Sequence, residues 1–254
     1  MLAASLGVKV LRYKHNDMDD LEKRISRLDI DSPKLIATDG VFSTFGDIAK
    51  VDKIVAIAKK YNANLVVDDA HAFGVIGEGG RGTGHHFGVQ DDVDLTVCTF
   101  SKTLASIGGF VVGDEKVIEY LKHNSPALIF SASPTPANTA AAIAALEVLE
   151  TNPDLPLKLA SNAQKVREGL MQSGFNVVDG ETAIVPIIIG DDEKTFTIWK
   201  MLYDEGIFVN AFVAPATPPG MQMLRTSYMA SHTDEHIDRI IETFKKLGRQ
   251  LGLI

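Results

Sequence analysis

The stretch "NLVVDDAHAFG", residues 64–74, decides how this chain is read, together with "LTVCTFSKTLASIGGF", residues 95–110. Each begins as a short apolar, β-branched run and ends abruptly in polar residues: Asp68, Asp69 and His71 in the first, Ser101 and Lys102 in the second. Runs of this kind, bounded by turn-forming residues, are strand signals. In an open α/β sheet ligands bind beyond the carboxyl ends of the strands, so the residues that follow such runs are the ones to question. An acid stands at one strand tip and a lysine just past another.

Outward from these two runs, strand-like and helix-like patterns alternate, the signature of an α/β fold with a mostly parallel sheet. Strands are expected at 8–11, 35–38, 65–67, 95–99 and 110–112, and helices at 18–28, 48–61, 116–123 and 137–150. The texture changes at "TNPDLP", residues 151–156, a helix stop followed by a turn. Beyond it the pattern predicts helices at 157–173 and 194–205, strands at 175–178, 184–189, 208–212 and 223–228, and a closing helix at 234–251 that Thr233 caps. The expected organisation is therefore a large unit, residues 1–152, and a smaller carboxy-terminal α+β unit, residues 153–254.

With 254 residues, of which 45% are hydrophobic, the chain has enough apolar material for a full core. A formal charge of −8 argues against a nucleic-acid or anionic-membrane surface and toward small-molecule partners. The single cysteine, Cys98, has no internal disulfide partner and reads as a small core residue in a reducing compartment. No secretory leader pattern and no apolar run long enough to span a bilayer occur in the sequence, so a cytoplasmic setting is expected.

Taken alone, Asp68 reads as a turn cap and Lys102 as a solvated loop residue. Their company changes the reading: Thr99, Ser101 and Thr103 surround the lysine with hydroxyls, and the Ile107-Gly108-Gly109 step lets a backbone come close to something bulky. A lysine, an acid and hydroxyls at one sheet edge fit pyridoxal 5′-phosphate, with the lysine as Schiff-base former and the acid as partner of the pyridinium nitrogen. A metal is the rival chemistry for Asp68, Asp69, His71, His85 and His86, but their spacing matches no ligand pattern such as HExxH, and no metal site is expected. "GEGGRGTG", residues 77–84, lacks the strand-then-helix context of a phosphate cradle and reads as a loop.

The segments "DGVFSTFGDIA", "VVDDAHAFGVIGEGGRG", "TFSKTLASIGGF", "FSASPTPAN" and "MLRTSYMASHTDEHID" occur in an order and spacing that resemble the α-oxoamine synthases. These are fold-type I pyridoxal phosphate enzymes that condense an amino acid with an acyl-CoA, with loss of CoA and CO2, to an α-amino ketone. The resemblance runs through essentially the whole chain. It implies that Lys102 carries the cofactor, that Asp68 pairs with the ring nitrogen, and that His71 and Ser43 lie near the phenolic oxygen. It further implies that Thr99 and Ser101 contact the phosphate, that Ser131 and Ser133 reach the phosphate of the other subunit of a homodimer, and that Arg225 grips the amino acid's carboxylate. Asp69 is given a structural role.

Within the family, "TFSKTLASIGGF" and "LKHNSPALIFSASPTPAN" look most like the bacterial serine palmitoyltransferases of sphingolipid biosynthesis, with glycine C-acetyltransferase and 8-amino-7-oxononanoate synthase next. An aminotransferase and a non-catalytic chain that keeps the fold stay open as alternatives. In one respect the sequence departs from the pattern. Family members carry well over a hundred residues ahead of the point where this chain starts, with a Gly-rich phosphate loop and a histidine that stacks on the ring. His15 sits in a connection the family shares and is not that histidine, so the chain is expected to be a piece of a longer protein, with Met1 internal to it, and a poor enzyme by itself.

Overall fold

The computed structural model describes residues 7–254. Two four-stranded sheets organise it. In the first, β1 (Leu35–Asp39), β2 (Asn64–Asp68) and β3 (Leu95–Thr99) run parallel, and β4 (Gly109–Gly113) returns antiparallel to β3, in the order β1-β2-β3-β4. Parallel strands need crossover connections. Here α1 (Met18–Ile25) precedes β1, and the crossovers carry α2 (Val51–Lys60) between β1 and β2 and the short α3 (Thr83–Phe87) between β2 and β3. Leu65 and Val67 alternate inward from β2 and bury against Ile36 and the apolar face of α2, Val51 and Ile54.

The second sheet is wholly antiparallel, in the order β5 (Asn176–Val177), β6 (Ile184–Ile188), β8 (Met223–Ser227), β7 (Asn210–Phe212). It packs against α7 (Leu155–Gln172), α8 (Asp192–Asp204) and α9 (Asp234–Gln250). Its core is closed: Val166, Leu170, Val185, Ile187, Ile198, Leu202, Leu224 and Phe244 are all fully buried. Between the sheets run α4 (Glu115–Asn124), α5 (Pro126–Ile129) and α6 (Pro136–Thr151).

Local chemistry sets the helix starts. Asp17, Asp114, Thr135 and Asp191 each accept a hydrogen bond from a backbone N–H of the first turn. Thr233 caps α9 as the sequence predicts, and His236 returns the bond by accepting from the Thr233 N–H through Nδ1.

One expected element is absent: residues 8–11 form no strand. Val8, Val10 and Leu11 stand exposed, and among the described residues β1 pairs with β2 alone, so the apolar alternation has no ladder to join. Four short helical pieces escaped the periodicity: α3, α5 and the 3-10 turns Glu78–Gly80 and Gln90–Asp92, all too brief to display a helical repeat. Among the described residues no helix is long and apolar enough to cross a membrane.

Candidate active site

The carboxyl ends of β1, β2 and β3 bring three charged groups together. Asp39 ends β1 and pairs in register with Asp68 at the end of β2, while Lys102 lies three residues past β3. Sequence reasoning passed over Asp39, although the rule that found Asp68 applies equally to "IATDG". Burial and the neighbouring Asp68 charge raise the Asp39 carboxyl above the ordinary carboxylate range, with Lys102 and His15 opposing.

The turn after β2 is held by Asp69, which is buried. Its carboxylate accepts from Thr83 N at 2.8 Å and from Thr83 Oγ1 at 2.5 Å. Burial raises its carboxyl, and the two bonds from Thr83 offset part of that. One glycine of 77–84 is required by this contact: a methyl group on Gly82, at φ +92°, would lie 2.2 Å from Asp69 Oδ2. The Gly-rich stretch is thus a clamp behind the site rather than a phosphate cradle. Asp68 Oδ1 accepts from Ala70 N at 3.0 Å, closing the tight turn that presents His71.

The turn bearing Lys102 is fastened at both ends. Thr103 Oγ1 donates to Phe73 O at 2.8 Å, and Ser106 Oγ donates to Asn138 O of α6 at 2.7 Å. Phe73 and Phe110 pack edge to face beneath it, their ring centroids 5.5 Å apart. Thr99 Oγ1 and Ser101 Oγ share a hydrogen bond of 2.8 Å at the head of the turn. Desolvation is the main cause that lowers the Lys102 ammonium, with Asp68 opposing it and Arg225 adding to it.

His71, Lys102 and Arg225 line one cleft of about 790 Å³, whose other walls come from α6, α7 and residues 182–184 and 227–230. His71 is pushed down to about 4, first by burial and then by the Lys102 and Arg225 charges, so the imidazole is neutral over the physiological range. Arg225, on β8, donates from Nε to Ser43 O at 2.7 Å. Its guanidinium makes no other hydrogen bond among the described residues, which leaves both terminal nitrogens for a carboxylate. Ser43 makes this contact through its backbone carbonyl.

Ser131 and Ser133 do not line this cleft. Both are exposed, and Ser131 Oγ turns back to Ala127 O. His15 bonds Asp47 Oδ2 at 2.8 Å and packs on Phe42, at the edge of the turn that carries Ser43. Cys98 is buried in β3 and its thiol is pushed up to about 12 by burial, so it is no nucleophile. His85 and His86 sit on α3, and among the described residues no three His, Cys, Asp or Glu side chains cluster as metal ligands. A second cavity, of about 630 Å³, adjoins Arg225 and contains neither Lys102 nor any carboxylate.

A model of the aminotransferase class I and II family matches residues 2–244 of this chain. The chain belongs to that family. Among curated proteins, a serine palmitoyltransferase of Sphingobacterium spiritivorum is 50% identical over 242 residues, covering 95% of this chain and 61% of the relative. A putative 8-amino-7-oxononanoate synthase of Acetivibrio thermocellus is 44% identical over 248 residues, covering 98% of this chain and 64% of the relative. Both belong to the α-oxoamine synthases, as the motifs imply. Among solved structures, a serine palmitoyltransferase of Sphingomonas wittichii superposes with a TM-score of 0.94 at 36% identity, over 97% of this chain and 62% of that one. A further one, described as SPT with PLP internal aldimine, also gives 0.94 at 36% identity, over 97% and 63%. The α/β, fold-type I architecture of this family member is thereby established. The chain spans a little over three fifths of the length of these relatives.

Proposed function

We propose that the chain forms the lysine-bearing part of a pyridoxal 5′-phosphate-dependent C-acyltransferase that joins an amino acid to an acyl-CoA and releases CoA and CO2, leaving an α-amino ketone. Serine palmitoyltransferase is the preferred branch, given the 50% identity to such an enzyme, with 8-amino-7-oxononanoate synthase and glycine C-acetyltransferase as alternatives of the same chemistry. The observation that carries the reading is the convergence of Lys102, His71 and Arg225 on one cleft, with Asp68 at the neighbouring strand end.

The residues present suit that cofactor. Lys102 supplies an amine whose ammonium form is disfavoured, as a covalent attachment needs. Asp68 spends Oδ1 on the Ala70 N–H and keeps an oxygen for the ring nitrogen. His71, uncharged, serves the ring and its phenolic oxygen, and the paired hydroxyls of Thr99 and Ser101 serve the phosphate. When bound, the cofactor supplies a conjugated pyridinium that takes up the electron pair left on the amino acid's α-carbon. Arg225 holds the substrate carboxylate on its two free nitrogens, a bidentate geometry that a lysine lacks. Lys102 Nζ, once free, takes the α-proton and later returns one. His71 offers a ring N–H to the acyl carbonyl oxygen.

We also read the chain as a cofactor-binding unit to about residue 152 followed by a smaller one, and as half of a homodimer. Ser131 and Ser133 flank a bare apolar face that includes Leu128, Ile129 and Phe130, the last 86% exposed, and a second copy is the occupant that would place these serines near its site. We read the setting as cytoplasmic, a reading that the buried, unpaired Cys98 supports. The test is CoA release by the full-length protein, comparing L-serine with palmitoyl-CoA against glycine with acetyl-CoA. Release that depends on both substrates supports the reading and picks the branch. Transfer of the amino group to an α-keto acid, without CoA release, overturns it.

A further inference from the structure

The largest fully buried side chain of the molecule is a charged one, Arg167 on α7, only 2% exposed. A buried guanidinium carries a desolvation penalty that its hydrogen bonds must offset. Among the described residues no carboxylate is in salt-bridge contact with it, though the Asp179 and Glu181 charges act on it; Nη2 donates to two backbone carbonyls, Thr182 O and Ile184 O, both at 3.1 Å, and Nη1 donates to Gln164 Oε1 at 3.3 Å. Its Nε has no hydrogen-bond partner among the described residues. An aliphatic side chain would pack at this position without that cost, so the reason for an arginine lies in what the two carbonyls do.

They belong to the segment that enters β6 and forms one wall of the cleft. Thr182, itself buried, passes the contact on: its Oγ1 donates to Gly46 O at 2.7 Å, 136 residues away in sequence. Gly46 has φ +72°, and a methyl group there would fall 2.8 Å from Ile184 Cβ and 2.9 Å from Thr182 Oγ1, so residues 182 and 184 press directly on the Gly46 backbone. Gly46 closes a tight turn, with Gly46 N donating to Phe42 O and Phe42 N to Asp47 O, both at 2.9 Å. That turn carries Ser43, whose carbonyl accepts from Arg225 Nε. Arg225 in β8 in turn pairs in register with Pro186 of β6, two residues past Ile184. The contacts make a closed ring: Arg167, residues 182–184, the turn 42–47, Arg225, and back through the sheet.

We infer that Arg167, acting through Thr182 and Gly46, is a positioning residue that fixes where the Ser43 carbonyl stands and so aims the Arg225 fork into the cleft. The inference rests on the functional reading only for what Arg225 grips; the mechanical coupling stands without it. It assigns selectivity for the amino acid carboxylate, and not the acyl-CoA, to a ring anchored outside the cleft.

The test uses the full-length protein and three variants: Thr182→Val, which removes the hydroxyl that donates to Gly46 O and accepts a long bond from Ile184 N, Arg167→Met, and Arg167→Lys as the conservative rescue. In the cofactor-free protein, amide hydrogen exchange of residues 42–47 is expected to speed up about tenfold in Thr182→Val, the worth of roughly one hydrogen bond, while β1–β3 keep their protection. In the loaded enzyme, KM for the amino acid is expected to rise about tenfold with kcat and the acyl-CoA KM little changed, and Arg167→Lys to recover part of the loss. A merely structural role would instead lower kcat through loss of folded enzyme and leave both KM values alone. Unchanged exchange at 42–47 in Thr182→Val overturns the proposal, as does faster exchange there with an unmoved amino acid KM. If no amino acid is turned over by the wild type, the functional reading fails, and the exchange arm alone decides the coupling. Should Arg167→Met fail to fold, Thr182→Val carries both arms.

Discussion

The second sheet and the α4–α6 segment treat apolar residues in opposite ways. Around β6 and β8, Val185, Ile187 and Leu224 turn into one closed core, and Leu224, Ile187 and Phe244 reach zero exposure. Over residues 107–151 only Ala142 and Leu149 are buried among the apolar side chains of α4–α6, while Tyr120, Phe130, Ile143 and Val148 face outward. The first region completes itself from its own sequence. In the second, large apolar side chains stay exposed among the described residues, and the lysine turn is fastened to it through Ser106 and α6. Stability and the proposed chemistry therefore sit on different parts of the molecule, and substitutions should separate them.

The largest separation is expected at Lys102. Lys102→Ala should reduce CoA release by at least about 10³-fold and leave the melting temperature unmoved, because the side chain stands in the cleft and packs in neither core. Retained turnover would remove the lysine from the proposed role. In the closed core the reverse holds: Leu224→Ala should cost about 3 kcal/mol in urea unfolding, from lost transfer energy plus a cavity, with substrate KM values intact in the folded fraction. Asp68→Asn should keep the fold and lower kcat by about 10²-fold, since a neutral amide does not hold a positive ring nitrogen.

Acidification gives a smaller effect with a definite sign. The folded His71 titrates at about 4 and an unfolded histidine near 6.5, so between those values the unfolded chain binds more protons and stability rises with pH. Stability is lost as the pH falls through this window. Replacing His71 by Gln should flatten that slope, measured as urea midpoints at pH 4.5 and 7; an unchanged slope means that His71 is not desolvated. The smallest change in stability belongs to the bare face. Phe130→Ser should shift stability by no more than about 0.5 kcal/mol, yet move the full-length protein toward monomer in sedimentation. A dimer that persists unchanged would place the partner elsewhere.

Several features were legible in the linear sequence because their causes are local. The strands ending at Asp68 and Thr99, the cap at Thr233 and the α/β alternation follow from side-chain periodicity and from the few residues that satisfy free backbone donors. Asp68 and Lys102 stood out by the same logic, since a polar residue just past a buried strand has one direction to face. Where pattern alone misled, as at residues 8–11, the strand signal was genuine but a strand exists only with a partner to bond, and pairing is not written in alternation. Asp39 was readable by the rule that found Asp68 and shows its meaning only when the register sets the two acids side by side.

What the sequence by itself determined, then, is the order of elements and the chemical types gathered at the strand ends, because both depend on neighbours a few residues away. Tertiary structure decided how those groups are aimed. The glycines at 40 and 82 that wrap Asp69, the Ser43 carbonyl that holds Arg225, and the Arg167–Thr182–Gly46 connection join residues as far as 182 positions apart. Contacts at such separation leave no periodic trace, since each is one hydrogen bond or one missing methyl group, and they become specific only when packing brings the two backbones together.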